Sequence, residues 1–244
     1  MQIESSTDRS DTFDSLLQRS IRTAIALRKR GIQKGDIVLS FSNNHLNDCV
    51  PFLASYFLGA IPCALDPIYG LSEATRLLEQ VQPKIVFTIP EKLEIIENAV
   101  KKLTSNAEIV VFGTSALHTE FETFCQEQEG ETEFQPIFIT NPKETAAIFF
   151  SSGSSGLPKG ICVTHYNFIR QSGLVPPYEI EDLDVERKAY EESKFMTEFS
   201  FLTYSPMCWI TGGNMLFNSI FLGVCRTLGQ PFNPKEFWNI LEKI

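Results

Sequence analysis

Apolar residues recur at helical spacing along residues 12–30, where Phe13, Leu16, Leu17, Ile21, Ala24 and Leu27 share one face. Arg28, Lys29 and Arg30 crowd the last turn, and Gly31 follows as a C-cap. After the turn Lys34-Gly35-Asp36, the short apolar run 37–41 predicts a strand. Asn43 or Asn44 is the expected cap of a helix running through 52–58 and closing at Gly59. The rhythm then repeats, with strands predicted at 61–65, 84–89 and 108–112 and helices at 72–81, 91–103 and 116–128. Alternation of this kind implies crossover units and a parallel sheet, and strands apolar on both faces imply a sheet covered on both sides. The expected class is α/β, with parallel-rich sheets flanked by helices. Two segments break the rhythm. Residues 126–143 are acidic and polar, contain Pro136 and Pro142, and read as a connecting loop. Residues 176–194 carry seven Asp or Glu side chains, among them Glu179, Asp184 and Glu191, and read as a solvated loop or helix face, with a binding surface as the other reading.

The chain of 244 residues suits one large domain or two small ones. Its hydrophobic content of 43% and charged content of 21% support a sizeable core and exclude global disorder. A net charge of −9 repels polyphosphate backbones and argues against general nucleic-acid binding. A small anion held by local N–H groups and one lysine stays compatible with that charge. The six cysteines form no C-x-x-C pair and the three histidines are scattered, so no zinc site is expected. No basic, then apolar, leader opens the sequence, and no run of about 18 uncharged apolar residues predicts a membrane span. The expected setting is intracellular, with free thiols.

Candidate chemistry concentrates in residues 146–170. The apolar strand 147–150 runs straight into Ser151-Ser152-Gly153-Ser154-Ser155-Gly156-Leu157-Pro158-Lys159-Gly160. A second short strand over 161–164 and a helix start over 166–171 follow. Glycines let a ligand approach the main chain, serines add hydroxyl donors, successive N–H groups can line an anion-binding concavity, and Lys159 supplies a compact positive charge. Together they suit polyphosphate oxygens. A flexible Ser/Gly linker is the competing reading. The run has neither the G-K-[ST] of a P-loop nor a G-x-G-x-x-G fingerprint, which disfavours a P-loop phosphotransferase. His165 lacks a G-x-S-x-G elbow and reads as a structural, hydrogen-bonded residue at a strand end.

The stretch from Ile148 to Gly160 resembles the signature of the adenylate-forming superfamily, an apolar residue and two spacers before [STG]-[STAG]-G-[ST]-[ST]-G-x-P-K-G. Val163-Thr164-His165-Tyr166-Asn167 is similar to the S/T-H-x-N that continues it. Arg30 to Val38, Gly59-Ala60-Ile61-Pro62, Asp66-Pro67-Ile68-Tyr69 and Pro83 to Phe87 resemble further family segments, so the likeness covers nearly the whole chain. Its style is nearest to insect luciferase-like and 4-coumarate–CoA-ligase-like acyl-CoA synthetases.

That resemblance implies a partial large N-terminal domain of the acyl-adenylate-forming fold. Residues 1–140 would be roughly the first α/β subdomain, and 141–244 the start of a second that carries the phosphate loop. It implies reaction of a carboxylic acid with MgATP to an acyl-adenylate, then transfer to coenzyme A. Ser151, Ser152, Gly153, Ser154, Ser155, Gly156 and Lys159 would cradle the β- and γ-phosphates, with no catalytic residue and no metal ligand assigned in this stretch. In a second motif, P-x-x-H/aromatic-x-x-G, Pro206 to Gly213 places Trp209 where histidine is common, with Gly212 beside it as a second candidate for the acyl pocket or coenzyme A tunnel. A buried core aromatic is the other reading of Trp209, and Cys208 reads as a small buried residue. The family's Y-G-x-T-E and T-G-D motifs, its hinge and its C-terminal lid domain with a catalytic lysine are missing from these residues. The expectation is therefore a fragment inactive alone, with an uncovered sheet prone to self-association, in a peroxisomal or cytoplasmic setting. A non-catalytic module acting by protein interaction, or a decayed duplicate, is the alternative.

Overall fold

The computed structural model describes residues 1–104, 106–152, 158–171 and 200–241. They divide into two compact units. One comprises residues 14–43 and 47–165, the other residues 1–13, 44–46 and 166–244 as far as these are described.

The larger unit is built on a seven-stranded sheet. Its strands are β3 (Ile37–Phe41), β4 (Ile61–Leu65), β5 (Ile85–Thr88), β6 (Glu108–Val111), β7 (Thr119–Glu120), β8 (Thr145–Ser152) and β9 (Pro158–Thr164), in the order β7-β6-β5-β3-β4-β8-β9. All pairs are parallel except β8 with β9. The helices are α1 (Phe13–Lys29), α2 (Val50–Leu58), α3 (Leu71–Val81), α4 (Leu93–Val100) and the single turn α5 (Phe121–Phe124). Leu39, Phe41, Leu65 and Val86 of the strands pack with Leu77 and Leu78 of α3 and Ile96 and Ala99 of α4, all buried. Burying each such side chain stabilises the fold by about 1.5–3 kcal/mol.

Helix ends in this unit follow from local chemistry. After α1, Gly31 adopts a left-handed φ of 79°. The N–H of Gly31 then donates to the Arg28 carbonyl and that of Ile32 to the Leu27 carbonyl, which closes the last turn. Gly59 ends α2 in the same way at φ 62°, with the Ala60 N–H on the Ser55 carbonyl.

Several boundaries differ from expectation. Asn43 and Asn44 do not cap α2. That helix starts at Val50 with Pro51 in its first turn, and Cys49 stands at the cap position. The predicted helix 91–103 is a 3-10 turn, Pro90–Lys92, followed by the eight residues of α4. The predicted helix 116–128 is mostly not helical. Thr119 and Glu120 pair with Val110 and Val111, and only Phe121–Phe124 turns. The reason is aromatic packing: Phe121 and Phe124 are buried against the Phe87 ring, at centroid distances of 6.2 and 5.4 Å. Leu17, placed on the buried stripe of α1, is 50% exposed. The predicted acidic segment 176–194 lies outside the described residues.

The smaller unit holds a four-stranded sheet in the order β10-β11-β1-β2, formed by β1 (Gln2–Glu4), β2 (Ser10–Asp11), β10 (Ser200–Thr203) and β11 (Cys225–Leu228). β1 lies parallel to β11, with Gln2 opposite Arg226 and Ile3 opposite Thr227. The N-terminal strands carry no apolar run long enough to predict them; β1 pairs with a strand more than 200 residues away, and β2 pairs with β1. Helix α6 (His165–Gln171) links the units along the chain, and α7 (Ile210–Leu222) and α8 (Pro234–Leu241) belong to the smaller one. β8 hydrogen-bonds to β4 and β9 to β8, within the larger unit. No helix among the described residues is long and apolar enough to cross a membrane.

Candidate functional site

The candidate phosphate loop is carried by the antiparallel pair β8–β9. Ala146, Ala147, Ile148 and Phe149 are buried, which anchors β8 in the sheet beside β4. Phe150 stands opposite Gly160, and a Cβ on Gly160 would meet the Phe150 ring at 3.5 Å, an ordinary contact. At the end of the pair where residues 153–157 connect the two strands, Ser151 faces Lys159 and Ser152 faces Pro158 in register. Directly opposed residues bring their Cβ atoms to about 4.5–5.5 Å, so the Ser151 hydroxyl and the Lys159 stem start from one point of one face. Lys159 is exposed and Ser151 half-buried. Gly153, Ser154, Ser155 and Gly156 lie outside the described residues, as does the side chain of Ser152. Of the seven sequence-predicted phosphate residues, the structure therefore places Ser151 and Lys159 together and fixes the backbone of Ser152.

The opposite end of this pair is a polar anchor. Thr145 pairs with Thr164, and the His165 N–H donates to the Glu144 carbonyl at 3.2 Å. The Glu144 carboxylate holds Lys34 at 2.6 Å. The His165 ring meets the half-buried Tyr56 ring edge-on at 6.1 Å. Burial pushes the His165 imidazole below its ordinary range, Glu144 opposes that and Lys34 adds to it. Burial also raises the Tyr56 hydroxyl well above its usual value. His165 therefore sits as a neutral, packed residue at a strand end.

Trp209 and Gly212 belong to the smaller unit, at the start of α7. Trp209 precedes the helix in an extended conformation, and its indole is 57% exposed, so it is not a core aromatic. Its N–H donates to the Pro206 carbonyl at 3.0 Å, and its own carbonyl accepts from Gly212 at 2.9 Å. A Cβ at Gly212 would overlap the Pro206 carbonyl oxygen, so glycine lets the helix start pack directly on the preceding turn. Cys208 is buried, as expected. The sequence offered Asn44 only as a helix cap; its side-chain amide instead donates to the Gly229 carbonyl at 2.9 Å, while its backbone carbonyl accepts from Gln230 at 2.8 Å. That bracket ties residues 44–46 to the end of β11, and no local pattern announces it.

Comparison with known proteins gives a consistent result. The chain is 28% identical to a luciferin 4-monooxygenase of Photinus pyralis over 161 residues, covering 63% of this chain and 29% of the relative. It is 28% identical to 4-coumarate–CoA ligase 3 of Arabidopsis thaliana over 167 residues, covering 68% of this chain and 29% of the relative. Among solved structures, it matches the luciferase-like enzyme from the nonluminescent mealworm Zophobas morio with a TM-score of 0.84 and 33% identity, over 99% of this chain and 53% of that one. It shares the fold of O-succinylbenzoate coenzyme A synthetase from Bacillus subtilis, solved in complex with ATP and a magnesium ion. That match has a TM-score of 0.71 and 18% identity, over 99% of this chain and 56% of the other. The chain thus spans under a third of these two curated relatives and about half of the solved ones. The family model described as AMP-binding enzyme matches residues 3–244, and the chain belongs to that family, with the α/β fold of its N-terminal domain.

Proposed function

We propose that the protein activates a carboxylic acid with MgATP, forming an acyl-adenylate, and passes the acyl group to the thiol of coenzyme A. The observation that carries this reading is the facing of Ser151 and Lys159 across the connected end of β8–β9. A hydroxyl donor and an accessible ammonium on one face fit the oxygens of a polyphosphate. In this reading Ser151, Ser152, Gly153, Ser154, Ser155, Gly156 and Lys159 hold the β- and γ-phosphates. The acid's carboxylate oxygen bonds to the α-phosphorus as the bond to the bridging oxygen breaks, and pyrophosphate leaves. Lys159 offsets the charge gained by that leaving group, and holding the phosphates in place keeps the attack in line. Mg²⁺ bound with ATP supplies further charge neutralisation. The coenzyme A sulfur then attacks the acyl carbonyl and AMP departs.

Trp209 and Gly212 border the acyl and coenzyme A passage in this account. An indole there gives an apolar wall and takes no part in proton transfer at neutral pH. The exposed β9 edge supports a second reading, in which residues 1–244 act through protein contacts. The six cysteines, none in a disulfide, support an intracellular setting, peroxisomal or cytoplasmic.

The test is acid-dependent exchange of labelled pyrophosphate into ATP by the full-length protein, over a panel of aliphatic and aromatic acids. Exchange with at least one acid supports the proposal. Absence of exchange with every acid, in a folded protein, favours the second reading.

A further inference from the structure

Helix α1 carries an apolar ridge that the core leaves uncovered. Its buried side runs through Leu16, Ser20, Thr23, Ala24 and Leu27. Asp14, Leu17, Gln18 and Ile21 share a different face at helical spacing, and with Ser15 they form one wall of a groove of about 510 Å³. Glu131 and Thr132 form the other wall, so the whole groove lies within the larger unit. Leu17 is 50% exposed, and Ile21, one turn on, is half-buried. An accessible apolar pair at i and i+4 is the ridge against which a second helix packs.

The charges around this ridge have one sign. Asp14 is exposed, and among the described residues no ion pair holds its carboxylate. Glu131 stands against α1, where its carboxylate accepts from Arg22 Nε at 2.8 Å and from the Gln128 N–H. Glu129 and Glu133, two residues to either side, are exposed. No Lys or Arg lines the groove. The other basic residues of α1 are engaged away from it: Arg19 on the Asn47 side chain, Arg28 over the Phe134 ring at 5.0 Å, and Lys29 on Gln128 at 2.8 Å.

We infer that this groove docks a basic amphipathic helix of a partner protein. Its apolar side chains cover Leu17 and Ile21, and its Lys or Arg side chains meet Asp14 and Glu131. A second copy of the same face is the poorer occupant, because it would set these carboxylates against their own kind. The inference rests on the groove and is independent of the proposed reaction.

The test is fluorescence anisotropy of a labelled helical peptide, two repeats of Leu-Lys-Lys-Leu-Leu-Lys-Leu, titrated with the full-length protein. The same peptide with Glu in place of each Lys is the reference. The expected result is saturable binding of the lysine peptide, weakened by added salt, and no binding of the glutamate peptide. Leu17→Ala should weaken binding about tenfold, the effect of removing one apolar side chain from the contact. Asp14→Asn should weaken it at low salt and have no effect at high salt, where exposed charges are screened. Both residues are exposed, so neither change disturbs the core, and thermal melts of both variants check this before titration. No binding of the lysine peptide overturns the inference. So does equal binding of the glutamate peptide, or binding at low salt that either substitution leaves unchanged.

Discussion

Lys159 stands opposite Ser151 at the end of a strand pair whose base is packed and hydrogen-bonded, so its ammonium can be removed without disturbing the core. Lys159→Ala should lower acid-dependent pyrophosphate exchange by about 10²-fold, the usual effect of deleting one charge-stabilising donor, and should leave the melting temperature within a degree or two. Gly212 makes the opposite prediction. A methyl group there meets backbone, which cannot swing aside, so Gly212→Ala should destabilise by about 1–3 kcal/mol in chemical denaturation. His165 carries a pH signature. Burial holds its folded pKa below the ordinary value, so the unfolded chain binds the proton first as pH falls. Stability is therefore complete at neutral pH and is lost as pH drops through about 6.5 towards the lower folded value. His165→Gln should remove that loss, so the melting-temperature difference between the two proteins should change below pH 6.5 and stay flat above pH 7. At this scale the candidate residues Ser151 to Lys159 were legible as a group because they are contiguous in sequence. The exposure of Trp209 and the Asn44 bracket were not, because each depends on residues brought in by the fold.

Among elements, β3 and β4 fall where the apolar runs put them, and α1 and α3 begin or end within one residue of expectation. Their patterns are long, strongly amphipathic or capped by glycine, and local preference and burial agree. The failure at 116–128 has a definite cause. Leu117, Phe121 and Phe124 mimic helical spacing, yet Leu117 is 83% exposed, and the two phenylalanines serve an aromatic cluster around Phe87. Periodicity cannot separate a helical stripe from two residues of a single turn plus an exposed neighbour. β9 suggests a further consequence. It is an edge strand with Lys159, Gly160, Ile161 and Cys162 exposed, and Ile161 is 48% accessible. An exposed apolar edge is a template for pairing with another chain, and an added lysine blunts it. Ile161→Lys should reduce self-association of residues 1–244 in light scattering. An unchanged aggregate size would remove β9 as the cause.

The molecule as a whole combines a parallel-rich sheet, whose order follows from local βα units, with a smaller sheet whose pairing joins residues 2–4 to 225–228. The parallel class of the first was legible from the strand–helix alternation, while its order was not, since β5 pairs with β3 rather than with its sequence neighbour β4. The second was hidden because a three-residue strand has no pattern of its own. The family relation accounts for both units, since one solved relative matches 99% of the chain. We propose that the β8–β9 pair serves an adenylate-forming reaction. Its most direct test is acid-dependent pyrophosphate exchange by the full-length protein and by its Lys159→Ala variant, compared side by side at saturating acid. The account predicts exchange that depends on an added carboxylic acid and falls about 10²-fold in the variant. Exchange that Lys159→Ala leaves intact would contradict it.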